Sequence, residues 1–458
     1  MLSFGGLAGA GPRVAQALSH PVRLVVAGFL AAVVVGTALL MTPLATEASL
    51  QTGFVTALFT ATSAVCVTGL VVVDTASHWS AFGEAVILLL IQVGGLGVMT
   101  LASLLALLIG NRLGVRASML TEAESRRGGG DVAGAARVVR GIVRTSLFFE
   151  AAVAVLLTLR FAVGYGESWG TAAYQGLFHA VSAFNNAGFA LWPDSLERFE
   201  TDPWVCLPIA FAVVTGGLGF PVLMELRRRW RGPRSWSLHT KMTVWFSLAL
   251  LVLGTVAITA GEWDNEDTLA PLSTPGKLLS GFFHSVNTRT AGFNSLPVGG
   301  LHPETLLSSD VLMFIGGGSG GTAGGIKVTT FLVLGYVLWA ELRGERRVSA
   351  GRRRLPSDVQ RQALTVALLS VATVIGATWL LLLLTGLPLG AVMFEVISAF
   401  ATVGLSTGIT GQLPIGGQLV LTALMFVGRL GPLTLGAALA LRSRPQRFEY
   451  PPERPIVG

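Results

Sequence analysis

Charge is scarce in this chain. Of its 458 residues 12% are Asp, Glu, Lys or Arg and 52% are hydrophobic, whereas about 25% charged residues is usual for a soluble domain. An ordinary soluble fold is excluded, and lipid must be the solvent for most of the surface. Cysteine is nearly absent as well: Cys66 and Cys206 both lie in or beside apolar segments, too few for a disulfide framework. No group of His, Cys, Asp and Glu has metal-ligand spacing, which removes a structural zinc site. Long polar stretches are missing too. Each loop on the basic side is shorter than about 35 residues, against ~100 or more for a nucleotide-binding domain, so a nucleotide site within the chain is not expected.

What is present is a series of apolar runs, many of 18 residues or more, enough to cross a hydrocarbon core of ~30 Å. They fall at Val22 to Met41, Ala85 to Ile109, Val143 to Val163, Val205 to Leu226, Val244 to Ala260, Leu312 to Leu338, Leu364 to Leu384 and Leu419 to Leu441. The first reads as a retained helix, since no convincing small-residue cleavage site follows it. The net charge of +7 is unevenly placed: 26 of the 32 Lys and Arg fall in the two ends and in three alternate loops, Arg112 to Arg144, Arg227 to Lys241 and Arg343 to Arg361. The intervening loops hold Asp194, Glu197, Glu200, Asp202, Glu262, Asp264, Glu266 and Asp267. This is the positive-inside distribution. It predicts a multi-pass protein of the cytoplasmic membrane with both termini cytoplasmic, and a basic face for anionic lipid or a cytosolic partner rather than for nucleic acid.

Between odd and even runs lie mostly apolar segments too short to cross a membrane. They are Phe59–Gly69, Phe178–Gly188, Phe282–Gly292 and Phe394–Gly404. Aligned on the last glycine, all four begin with Phe and are followed by Leu or Phe. Three carry Ser six residues before the glycine, at Ser63, Ser182 and Ser398; the third has Val286 there. A second feature repeats in phase on the following run: Gly94–Gly97, Gly216–Gly219, Gly316–Gly325 and Gly428–Gly431. Two features repeated four times mark a long internal repeat, although any one glycine cluster alone is equally explained by close helix packing. The expected architecture is an all-α membrane protein of four helix, pore-loop, helix repeats, with eight transmembrane helices and four re-entrant pore helices around a pseudo-fourfold pore. The repeats span residues 1–110, 111–232, 233–345 and 346–458.

Irregular backbone at membrane depth survives only where it is buried in protein or lines a water-filled cavity, so four such loops imply a shared cavity. A dehydrated cation needs replacement oxygens, and rings of backbone carbonyls supply them. The candidates are Cys66, Val67, Thr68 and Gly69; Asn185, Asn186, Ala187 and Gly188; Thr290, Ala291 and Gly292, with Arg289 before them; and Ala401, Thr402, Val403 and Gly404. These segments are poor in acidic side chains, so contact is expected through the main chain, with glycine allowing a positive φ that turns a carbonyl toward the axis. Asn185 and Asn186 read equally as side-chain ligands or helix caps. Arg289 would repel an ion and is expected to point away.

On these features the chain resembles the Trk/Ktr/HKT superfamily of potassium transporters, over nearly its whole length. The carriers are Gly69, Gly188, Gly292 and Gly404, the stretch Gly316, Gly317, Gly318, Ser319, Gly320, Gly321, Thr322, Ala323, Gly324 and Gly325 followed by Ile326 and Lys327, and Arg429 in the last run. One predicted span before the first pore loop makes it similar to the Ktr-type pore subunit rather than the Trk type. The resemblance implies transport of K+, with Na+ as a possible coupling or activating ion, a homodimer, and a cytosolic ring of nucleotide-binding regulatory subunits. It also names the glycine-rich stretch a gate.

The residues themselves support that last expectation. Arg429 stands where Gly95 and Gly217 stand in the first two repeats, which puts it on the axis below the filter. Seven glycines in ten residues cannot hold a helix at about 1 kcal/mol lost per glycine relative to Ala, so a flexible intramembrane loop is expected, moving away from Arg429 on opening and leaving selectivity to the four loops. Lys327 has two readings, a pore-facing cation or a snorkelling side chain. Two further matches are discounted. Gly316–Gly321 fits G-x-G-x-x-G, but no strand precedes it. Ser319 with His179 or His284 would suggest an intramembrane serine hydrolase, yet both histidines sit in pore segments at matching positions, within one residue; no enzyme and no bound cofactor are expected.

Overall fold

The computed structural model describes residues 21–47, 51–114, 130–351, 353–441 and 453. Helices dominate. Helix α1 is Pro21–Leu40, α2 Phe54–Cys66, α3 Ala81–Gly114, α4 Gly130–Leu159, α5 Trp169–Phe184, α6 Pro203–Leu218 and α7 Phe220–Arg229. Then follow α8 Leu238–Gly261, α9 Thr274–Asn287, α10 Pro303–Phe314, α11 Val328–Leu342, α12 Ser357–Thr385, α13 Leu389–Ala401 and α14 Ile415–Leu441. A two-residue hairpin, Ser349–Ala350 with Arg353–Arg354, precedes α12.

Local chemistry sets many of the starts. Ser168 accepts from Thr171 N–H before α5, Ser237 from Thr240 N–H before α8, and Asp202 from Trp204 N–H before α6; each satisfies a donor the helix itself leaves unpaired. Pro203 and Pro303 occupy first-turn positions, where proline's missing N–H costs nothing.

Among the described residues four helices are long and apolar enough to cross a membrane, and five if the bent pair α6–α7 is one span. Each of the eight apolar runs carries helix, but two are not continuous. The run from Leu312 to Leu338 breaks at its glycines, as expected. The run from Val205 to Leu226 was expected to be a single span and instead bends by 101° between α6 and α7. The break falls on Gly219 at φ 96°, with Pro221 next but one, and a methyl on Gly219 would crowd the backbone of Ser319 to Gly321. The turn sets the chain against the glycine-rich stretch, where Phe220 N–H donates to Gly320 O at 3.2 Å.

The short helices α2, α5, α9 and α13 lie inside. Every residue of α2 from Phe59 to Cys66, and of α13 from Phe394 to Ala401, is buried. Each also packs on a helix of the preceding unit: α14 meets α2, α3 meets α5, α6 meets α9 and α10 meets α13. The units therefore close on themselves. Helices α4, α8 and α12 turn large apolar side chains outward, including Phe148, Leu253, Leu368 and Trp379, a surface expected against lipid and not against water. The chain is a multi-pass membrane protein.

Candidate functional site: a ring of four loops

The C-termini of α2, α5, α9 and α13 run into four loops of one conformation. Two residues before each glycine the backbone is left-handed, at Val67 (φ 55°), Asn186 (59°), Thr290 (70°) and Thr402 (50°), and each glycine is again at positive φ: Gly69 (91°), Gly188 (68°), Gly292 (80°) and Gly404 (98°). Only the residue between them has negative φ. In an extended strand successive peptides face opposite ways; alternating the sign of φ turns them to the same side. Non-glycine residues rarely adopt this backbone, and four at matching positions are held there by their surroundings.

The loops meet in a closed ring. A methyl built on Gly69 would overlap the carbonyl oxygen of Ala187, one on Gly188 that of Ala291, one on Gly292 that of Val403, and one on Gly404 that of Thr68. Each glycine lies against the carbonyl of the residue before the next glycine, and the fourth returns to the first. All four glycines line a single cavity of about 230 Å³, rimmed by Asp74, Ser406 and Thr410. Four helix C-termini approach this ring, each carrying about half a negative charge.

Hydrogen bonds from the short helices hold the loops. Ser63 Oγ accepts from Gly69 N–H and Ser398 Oγ from Gly404 N–H, both at 3.1 Å, while Ser182 Oγ donates to Phe189 O at 2.8 Å. In the third unit Asn287 takes this role, its Oδ1 accepting from Phe293 N–H at 3.1 Å. Phe283, not Phe282, is the buried aromatic there. The spacing from buried Phe to glycine is thus one residue shorter in the third unit, and alignment on its glycine misplaces its helix by one. With that correction His179 and His284 both follow the buried Phe directly. His179 donates Nδ1–H to Gln175 O at 2.7 Å, accepts Leu191 N–H at Nε2 and stacks on Trp192. Ser319 is paired with Thr329 at 3.1 Å, and His284 Nε2 lies 3.4 Å from Ser309 Oγ.

The stretch Gly316–Gly325 lies directly beneath the loops. Gly318 N–H and Thr322 N–H donate to Gly217 O and Gly216 O at 2.8 and 3.1 Å, at the end of α6. Gly324 N–H reaches Thr290 Oγ1 at 3.3 Å, and a methyl on Gly324 would overlap Thr402 Oγ1 and Ala401 O. Flexibility was the expected role of these glycines; here several serve close backbone approach. Arg429 donates Nη1–H to Thr322 O, and Lys327 Nζ donates to the next carbonyl, Ala323 O, at 2.5 Å. Arg289 points away from the ring, as expected, and donates Nη2–H to Gly316 O at 3.0 Å.

Among the buried carboxylates that sequence reasoning missed, two stand beside the loops. Glu150 on α4 accepts from Gln92 Nε2 at 3.1 Å and from Asn185 Nδ2 at 3.2 Å, which turns the Asn185 side chain back from the ring. Glu395 on α13 accepts from Thr410 Oγ1 at 2.9 Å and from Ser406 Oγ. Both were visible as acids inside apolar runs, where a charge defaults to a functional reading. Among the described residues no group of His, Cys, Asp and Glu could hold a metal ion.

Residues 7–447 match the family model described as TrkH, cation transport protein. The chain belongs to this family. It is 38% identical over 96% of its length to the Ktr system potassium uptake protein B of Bacillus subtilis, covering 97% of that protein. With the protein of the same name from Vibrio alginolyticus it shares 39% over 95% of its length and 94% of the relative's. It is also 33% identical to the potassium/sodium uptake protein NtpJ of Enterococcus hirae, over 97% of this chain and 99% of that one. The fold is that of the solved potassium transporter TrkH from Vibrio parahaemolyticus, with a TM-score of 0.71 over 91% of this chain and 84% of that one at 17% identity. The expected resemblance to a Ktr-type TrkH-family subunit holds.

Proposed function

We propose that this chain is the pore subunit of a potassium uptake system in the cytoplasmic membrane. In this reading eight membrane-crossing segments form four repeats with the boundaries given above, both termini are cytoplasmic, and the loops ending at Gly69, Gly188, Gly292 and Gly404 make one filter. The observation that carries it is the closed succession of glycine against carbonyl around four loops, because only oxygens arranged about one axis replace a cation's water from all sides. The uptake of potassium ascribed to the Ktr relatives supports the choice of ion.

Gly316–Gly325 with Lys327 and Arg429 acts as a gate: it lies under the ring, and two cations grip its adjacent carbonyls at Thr322 and Ala323. Control from outside the chain suits the basic loops, which offer a docking face to a cytosolic ring of nucleotide-binding regulatory subunits, with the pore subunit as a homodimer. A second reading, sodium-coupled or sodium-activated uptake, is favoured by the likeness to the potassium/sodium uptake protein. Rubidium uptake into proteoliposomes, with and without sodium, tests both. Uptake that persists without sodium supports the potassium pore, uptake that requires sodium supports the second reading, and no uptake in either condition contradicts the proposal.

A further inference from the structure

Thr322 joins the ring to the segment beneath it. Its carbonyl takes the Nη1–H of Arg429, and its N–H donates to Gly216 O at 3.1 Å. Its hydroxyl lies 2.8 Å from Asn186 Oδ1 and 3.3 Å from Phe184 O, with Thr322 completely buried. Asn186 is the left-handed residue of the second loop, two before Gly188. Its Nδ2 has no partner, so among the described residues the Thr322 hydroxyl is the one hydrogen-bond partner of this side chain.

Asparagine tolerates a left-handed backbone better than most residues, but the conformation persists only where surroundings over-determine it. Here one of those surroundings is a side chain on the segment that Arg429 grips. The third loop is tied likewise, through Gly324 N–H to Thr290 Oγ1. Movement of the segment away from Arg429 would withdraw the Thr322 hydroxyl from Asn186 and loosen the backbone that aims the Asn186 and Ala187 carbonyls.

We propose that Thr322 is a specificity-determining residue, a positioning group that holds the second loop of the filter in its selective conformation while Arg429 holds Thr322. The inference rests on the reading of the four loops as a filter and of Arg429 as a latch. It replaces the expectation that opening the gate leaves selectivity untouched: the ion ratio depends on whether the segment is latched.

The test is a double-mutant cycle read as the ratio of rubidium uptake to its inhibition by sodium, in proteoliposomes of the full chain. Thr322→Val, which keeps shape and removes the hydroxyl, lowers discrimination about fivefold, the size expected for one lost hydrogen bond. Thr322→Ser, which keeps the hydroxyl, restores it. In an Arg429→Ala background, where Thr322 is already released, Thr322→Val adds nothing, since coupled residues act non-additively. Asn186→Gly removes the acceptor from the other end while keeping the left-handed backbone free of Cβ strain, and gives the same loss and the same non-additivity, a check independent of how Thr322→Val folds. Wild-type discrimination in Thr322→Val, or an equal shift in both backgrounds, overturns the inference. If Arg429→Ala leaves uptake unchanged, the latch itself fails and the inference falls with it; if that variant raises uptake while Thr322→Val is silent, only the inference falls.

Discussion

Arg429 donates to the main-chain carbonyl of Thr322, across 107 residues of sequence, from a helix position that glycine fills in the first two units. The guanidinium is buried, and among the described residues its Nε and Nη2 have no hydrogen-bond partner. Unpaired buried donors on a charged group cost about 1–3 kcal/mol or more, so the contact proposed to close the pathway is not a deep energy well. Arg429→Ala should therefore raise rubidium uptake several-fold, and Arg429→Lys, a point charge without the planar fork, should fall between. Uptake at or below wild type in Arg429→Ala would show that the residue supports the fold instead of closing it.

Gly324 offers an independent way to displace the same segment. A methyl there would overlap Thr402 Oγ1 and Ala401 O, whereas one on Gly335 in α11 meets nothing within 4 Å. Gly324→Ala should raise basal uptake and lower the thermal unfolding midpoint; Gly335→Ala should do neither. Equal behaviour of the two would argue that the segment does not bear on the fourth loop.

The polar anchors of the loops should matter in proportion to the bond each makes. Ser63→Ala and Ser398→Ala each remove the acceptor of a glycine N–H, costing about 1 kcal/mol, and should lower the unfolding midpoint in detergent. Asn287→Ser should lower it by a similar amount although three of the four units carry serine, because the third unit, one residue shorter between its buried Phe and its glycine, needs the longer reach of asparagine. Stability unchanged by Asn287→Ser would refute that account of the third unit.

Much of this was legible in residue spacing. The ring glycines, the glycine-rich break and the special place of Arg429 follow from features repeated in phase, and the left-handed backbone at Gly69, Gly188, Gly292 and Gly404 follows from glycine itself. The one-residue offset of the third unit was not legible, because Phe282 and Phe283 are both aromatic and only burial separates them. The bend at Gly219 was hidden for a related reason: a glycine in an apolar run reads as close packing as readily as a kink, and the residues it packs against, Ser319 to Gly321, lie about 100 positions away. Thr322 was noted only as part of a flexible loop, since no local pattern reveals that its hydroxyl meets Asn186.

Regulation from outside gives a prediction of its own. The purified chain alone should not bind ATP tightly in equilibrium dialysis, and reversing charge at the exposed Arg346 and Arg347 should weaken control by the proposed cytosolic partner while basal uptake remains. Tight nucleotide binding by the isolated chain would place the regulatory site here.

The central claim is that four loops form one cation filter, and selectivity in the four single variants Gly69→Ser, Gly188→Ser, Gly292→Ser and Gly404→Ser tests it most directly. Each substitution puts a side chain where the backbone is left-handed and where the carbonyl of the neighbouring loop already lies, so strain of about 1–3 kcal/mol is delivered to the ring itself. Sodium competition against rubidium uptake in proteoliposomes should show lower potassium discrimination in all four. Discrimination unchanged in every one of them would contradict the account.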